Sequence, residues 1–156
     1  MRKLILLPLL FLFAFVQNVN AQNSAPTLEV AIFLKAKKRI KDPVIVVYNE
    51  SGEKIEIKTS TTDGGRILLY FPFGNNYKIV VEREGYVTIS FEVDAKLPSE
   101  ESAENMSTDL DLKMIAQPLD GSIETIENPV AKVYYIAKVG MFDFDWDYDD
   151  EMSDEI

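Results

Sequence analysis

Residues 67–93 read ILLYFPFGNNYKIVVEREGYVTISFEV. Large apolar side chains recur at every second position: Ile67, Leu69 and Phe71, then Tyr77, Ile79 and Val81, then Val87, Ile89, Phe91 and Val93. Successive side chains of a strand point to opposite faces, so this period describes strands with one face on a core. The first run is apolar at Leu68 and Tyr70 as well, which predicts burial on both of its faces. Pro72, Gly74, Asn75 and Asn76 break the first pair of runs and Glu84-Gly85 the second. These are turn residues, with glycine supplying a positive φ.

The same period continues on both sides. Upstream, Leu28, Val30, Ile32 and Leu34 alternate with Glu29, Ala31, Phe33 and Lys35. Val44, Val46 and Tyr48 follow Pro43, and Ile55 and Ile57 alternate with charged neighbours. Downstream come Leu110, Leu112 and Met114, then Ala131, Val133 and Tyr135. Asn49-Glu50-Ser51-Gly52 and Asp63-Gly64-Gly65 read as hairpin loops. No sustained helical stripe is present. Short strands with turns at these intervals predict an all-β protein, an antiparallel β-sandwich over residues 27–138. Residues 95–107 and 116–129 read as long exposed loops.

The flanks differ from this body. Arg2 and Lys3 precede an apolar stretch from Leu4 to Val16, about 13 residues and short of the ~20 that span a bilayer. Val19 and Ala21 are small residues at the places a signal peptidase reads. Residues 1–21 are therefore expected to be a cleaved signal peptide, with 22–26 a short linker and no membrane-spanning segment left after cleavage. The expected location is exported, either periplasmic or extracellular at the cell surface.

Residues 139–156 are set apart as an aromatic-acidic tail. Phe142, Phe144, Trp146 and Tyr148 alternate with Asp143, Asp145, Asp147 and Asp149. If extended, the segment puts four aromatics on one face and four carboxylates on the other. The aromatics could complete the core or bind a partner by adding a strand to a sheet edge. The carboxylates are the only candidate metal ligands, for Ca²⁺, which takes oxygen donors. Carboxylates two apart on a strand lie ~6.7 Å apart and do not converge on one ion without a bend. An EF-hand loop counted from Asp143 would need glycine where Tyr148 stands.

Composition bounds the chemistry. The 156 residues hold 16 Lys+Arg against 26 Asp+Glu, a formal charge of -10, with no His and no Cys. That charge argues against binding a phosphate backbone, so no nucleic-acid partner is expected. Without Cys there are no disulfides, thiol nucleophiles or Cys-zinc sites, and without His no Ser-His-Asp catalysis. No nucleophile elbow or phosphate loop is present. No catalytic residue is assigned, and no cofactor beyond a calcium option is expected. The one basic stretch carries Lys35, Lys37, Lys38, Arg39 and Lys41. It fits a solvated connection between strands, and Lys37, Lys38 and Arg39 are also candidate contacts for an anionic partner. Tyr70, Tyr77, Tyr86, Tyr134, Tyr135 and Trp146 are candidates for stacking on sugar rings.

Thr62-Asp63-Gly64-Gly65-Arg66, Ile67 to Phe71, Asn76-Tyr77 and Arg83-Glu84-Gly85-Tyr86 together resemble the carboxypeptidase-regulatory-like domains, transthyretin-type β-sandwiches of exported Bacteroidota proteins. The resemblance covers residues 27–94. A basic stretch replaces the usual glycine-rich first turn, and the Asp63 turn is one residue shorter than usual. The segment from Asn128 to Asp145 is similar to stretches that trail such domains in envelope proteins. The resemblance implies a non-catalytic interaction or scaffold domain of the bacterial cell envelope, with an envelope or extracellular protein as partner. The alternatives are a carbohydrate-binding module and a calcium-dependent adhesion element.

Overall fold

The computed structural model describes residues 25–37, 40, 42–120, 122 and 125–145. The expected signal segment lies outside them, as do Lys38, Arg39, Trp146, Asp147, Tyr148 and Asp149.

The described residues form ten strands and no helix. They are β1 (Thr27–Lys35), β2 (Val44–Asn49), β3 (Lys54–Ile55), β4 (Lys58–Thr61), β5 (Ile67–Pro72), β6 (Asn76–Glu82), β7 (Ile89–Asp94), β8 (Met106–Lys113), β9 (Lys132–Ile136) and β10 (Met141–Phe144). One sheet has the order β4-β5-β1-β8 and the other β10-β9-β7-β6-β2-β3. Both contribute to a single apolar cluster, with Leu28, Val30, Ile32, Leu69 and Phe71 from the first and Ile79, Val81, Ile89, Phe91 and Val93 from the second. The architecture is sandwich-like.

The chain changes sheet after each unit. The four-stranded sheet is made of β1, the β4–β5 hairpin and β8. The six-stranded sheet is made of the hairpins β2–β3, β6–β7 and β9–β10. Turn chemistry closes the hairpins. Gly65 has φ 81°. Beside it, Gly65 N–H donates to Thr62 O (2.8 Å) and Arg66 N–H to Thr62 Oγ1 (3.2 Å). Between β5 and β6, Gly74 takes φ 98°, a conformation closed to most side chains.

Three expectations need correction. The sheets are mixed and not purely antiparallel, because β1 pairs with β8 and β7 with β9 in parallel. Both pairs join strands from different units, and their direction depends on how the chain re-enters a sheet after crossing. Alternation looks the same in either pairing. The apolar run around Ile55 and Ile57 is not one strand either. The chain leaves β3 for the other sheet at Glu56-Ile57, while both isoleucines stay packed against the core.

The third correction concerns β2. The series Val44, Val46, Tyr48 faces outward, with Val44 56% exposed, and Ile45 and Val47 face the core. Every position from Val44 to Tyr48 is apolar or aromatic, so its sequence does not fix the phase. A one-residue shift exchanges the two faces.

The body runs on past residue 138. β10 pairs with β9, and Phe142 joins the core at 3% exposure. Its ring lies 5.9 Å from Phe73 and 5.3 Å from Tyr135. A segment grouped with the tail on sequence grounds thus covers one end of the core.

Candidate functional site

Outward residues of the two sheets form two different surfaces. On the four-stranded sheet, cross-strand pairing sets Ser60, Leu68, Ala31 and Asp109 in one row and Lys58, Tyr70, Glu29 and Ser107 in the next. Phe33 faces outward beside Asp111. Leu68, Tyr70 and Phe33 are half-buried, and Ala31 is 6% exposed. The centre of this face is therefore apolar. The expectation that both faces of residues 67–71 are buried is met only on the inner side, because no described strand covers the outer one.

Charges border this patch. Lys58 Nζ sits 4.8 Å from the centre of the Tyr70 ring. Arg66 Nη1 pairs with Asp109 Oδ1 and Lys35 Nζ with Asp111 Oδ2, both at 2.7 Å. These ion pairs are exposed and contribute little to stability, at most about 1 kcal/mol each. They leave the patch with a rim of both signs around an apolar centre.

The six-stranded sheet carries an open groove of about 890 Å³ on its outer side. Its floor follows one cross-strand row, Tyr48, Lys78, Glu92 and Lys132, contributed by β2, β6, β7 and β9. Val80 adds apolar surface beside Tyr48. At the end of the groove the Lys96 ammonium pairs with Glu50, which also accepts from Asn76 N–H at 3.1 Å. Lys96, followed by Asn76, holds the Glu50 carboxyl below its ordinary 4.5, and Glu50 in turn raises Lys96 above 10.5. This pair fixes the β2–β3 turn against the ends of β6 and β7.

The sequence-derived candidates are scattered. Phe142 is in the core, and Phe144 is half-buried against it. Asp143 on β10 and Asp145 just after it are half-buried, and Asp143 Oδ1 accepts from Phe144 N–H at 2.9 Å. Lys37 is exposed in the β1–β2 connection. Among the described residues no three acidic, His or Cys side chains gather closely enough to hold a metal ion. Nor is any described helix long and apolar enough to cross a membrane.

Tyr77 is not available for stacking on a sugar. It is 5% exposed, its ring lies 4.9 Å from Phe71, and its hydroxyl donates to Pro72 O at 2.9 Å. Burial raises its pKa. Tyr135 packs on Phe142. Tyr48, which sequence reasoning passed over, is the tyrosine that lines the groove from the outer face. The signal that could have found it is its place opposite Lys78, visible only once the register is known.

No protein-family model matches this chain, and no curated protein matches it.

Proposed function

We propose that this chain is a non-catalytic interaction domain, exported to the cell envelope or beyond, that docks a protein partner on the outer face of its four-stranded sheet. One observation carries the reading. β5 is apolar on both faces; on its outer side Leu68 stands beside Ala31 and diagonal to Phe33, with Tyr70 in the next row, and no described strand lies over them. Soluble proteins seldom leave contiguous apolar patches without a use for them. An apolar and aromatic centre inside a charged rim is also the usual anatomy of a protein interface.

The family reading is part of the proposal. Two of the motifs that resemble carboxypeptidase-regulatory-like domains form turns here. Thr62 to Arg66 closes the β4–β5 hairpin, and Arg83 to Tyr86 forms a turn with Gly85 at φ 80°. These turns, in a sandwich-like body, support membership of that type. Export rests on the expected signal at residues 1–21.

The test uses one surface substitution. Leu68→Asp places a charge at the centre of the patch without touching the core. Envelope extracts are passed over immobilised wild type, Leu68→Asp and a control on the other sheet outside the groove, Glu82→Ala. The expected result is a partner recovered by wild type and by the control and lost with Leu68→Asp, while melting temperatures agree within about 3 °C. Equal recovery by all three would remove this face from the function.

A further inference from the structure

The groove on the six-stranded sheet lies on the other side of the sandwich from the proposed docking face and has a different chemistry. Lys78, Lys96 and Lys132 are balanced there by Glu50, Glu92 and Asp94. A locally neutral groove in a chain of formal charge -10 is a poor match for a strongly charged ligand. Only Lys96 and Glu50 are joined as an ion pair; Lys78, Glu92 and Lys132 stand in one row with no ion pair to any described residue.

The row therefore presents ammonium donors on both sides of a carboxylate acceptor. An anion would use the donors and be repelled by Glu92, and a cation would meet the reverse. A hydroxyl group donates and accepts at once and satisfies both kinds of neighbour. Half-buried Tyr48, with Val80 beside it, begins the row with a flat apolar surface. That surface suits the C–H face of a sugar ring, while the polar groups along the row orient its hydroxyls. Four adjacent strands spaced about 4.8 Å apart give a row of roughly 14 Å, enough for more than one ring.

We propose that this groove binds a neutral oligosaccharide, with Tyr48 stacked on one ring and Lys78, Glu92 and Lys132 hydrogen-bonded to hydroxyls along the chain. The site is independent of the protein-docking face, and each can fail alone.

Calorimetric titration of the protein with cellohexaose, xylohexaose, mannohexaose, chitohexaose and a hexamer of galacturonate tests it. The expected result is binding of at least one neutral hexaose with Kd below about 1 mM. Tyr48→Ala and Glu92→Gln should each weaken it roughly tenfold or more, and Leu68→Asp should leave it unchanged. Glu92→Gln and Lys132→Ala change outward positions and keep the test open if Tyr48→Ala fails to fold. The proposal is overturned if no neutral hexaose binds, if the galacturonate hexamer binds best, or if Glu92→Gln and Lys132→Ala both leave affinity within about twofold.

Discussion

Phe142 sits between Phe73 and Tyr135 at 3% exposure, although its nearest neighbours in sequence are Met141 and Asp143. Truncating a buried phenylalanine leaves a cavity and costs about 3–5 kcal/mol. Phe142→Ala should lower the melting temperature by roughly 10 °C or more, and Phe142→Leu by much less. A change of only a degree or two for the alanine variant would mean that the ring is not part of the core. Alternation in residues 142–149 showed that one face of the segment was aromatic. It did not show whether that face met the core or a partner, since both need the same pattern.

Glu50 gives a second residue-scale prediction. Its carboxyl is held below its ordinary value of 4.5 by Lys96 and then by Asn76 N–H. A depressed carboxylate contributes stability that is present above that ordinary value and is lost as pH falls through the lowered one. Lys96, raised above 10.5, contributes below that value and loses its share as pH rises through the raised one. Glu50→Gln should therefore lower the melting temperature at about pH 6 and by less at about pH 2, as the wild-type carboxyl takes up its proton on the way down. Scanning calorimetry at the two pH values checks this. An equal difference at both would show that the pair makes no pH-dependent contribution.

At the scale of elements, strand existence was legible and strand pairing was not. The inward phase of β8 follows directly from Leu110 and Leu112 alternating with charged neighbours, and in β1 and β6 the outer charges Glu29, Lys35, Lys78 and Glu82 fix the phase although Ala31, Phe33 and Val80 share that side. β2 lacked that contrast, so Tyr48 changed faces and the groove was missed. The split between β3 and β4 was invisible because Ile55 and Ile57 keep one face on the core while the ladder changes partners. β10 is the element whose role is easiest to test. A chain ending at Gly140 loses β10 and uncovers Phe73 and Tyr135, whereas one ending at Asp145 keeps them covered. The longer chain should unfold cooperatively at a temperature at least about 10 °C higher; coincident transitions would place β10 outside the folded body.

At the scale of the whole molecule, two sheets share one core, and the proposed activities lie on their opposite outer faces. Each face depends on the register of its own sheet, and the docking face on that of β1 and β8. Leu68, Ala31 and Asp109 share a row only if β8 runs parallel to β1 in the order observed. The chain has no cysteine, so an introduced pair is unambiguous. Ala31 and Asp109 are direct partners across β1 and β8, within the roughly 4.4–6.8 Å Cα separation that a disulfide accepts. Ala31 and Lys113 are four residues out of register, about 13 Å along the strand. Oxidation of the double variants Ala31→Cys/Asp109→Cys and Ala31→Cys/Lys113→Cys, followed by mass spectrometry of the digested protein, reads the topology directly. The expected result is rapid, near-complete cross-linking of the first pair and none of the second under native conditions. Cross-linking of the second pair in preference to the first would contradict it.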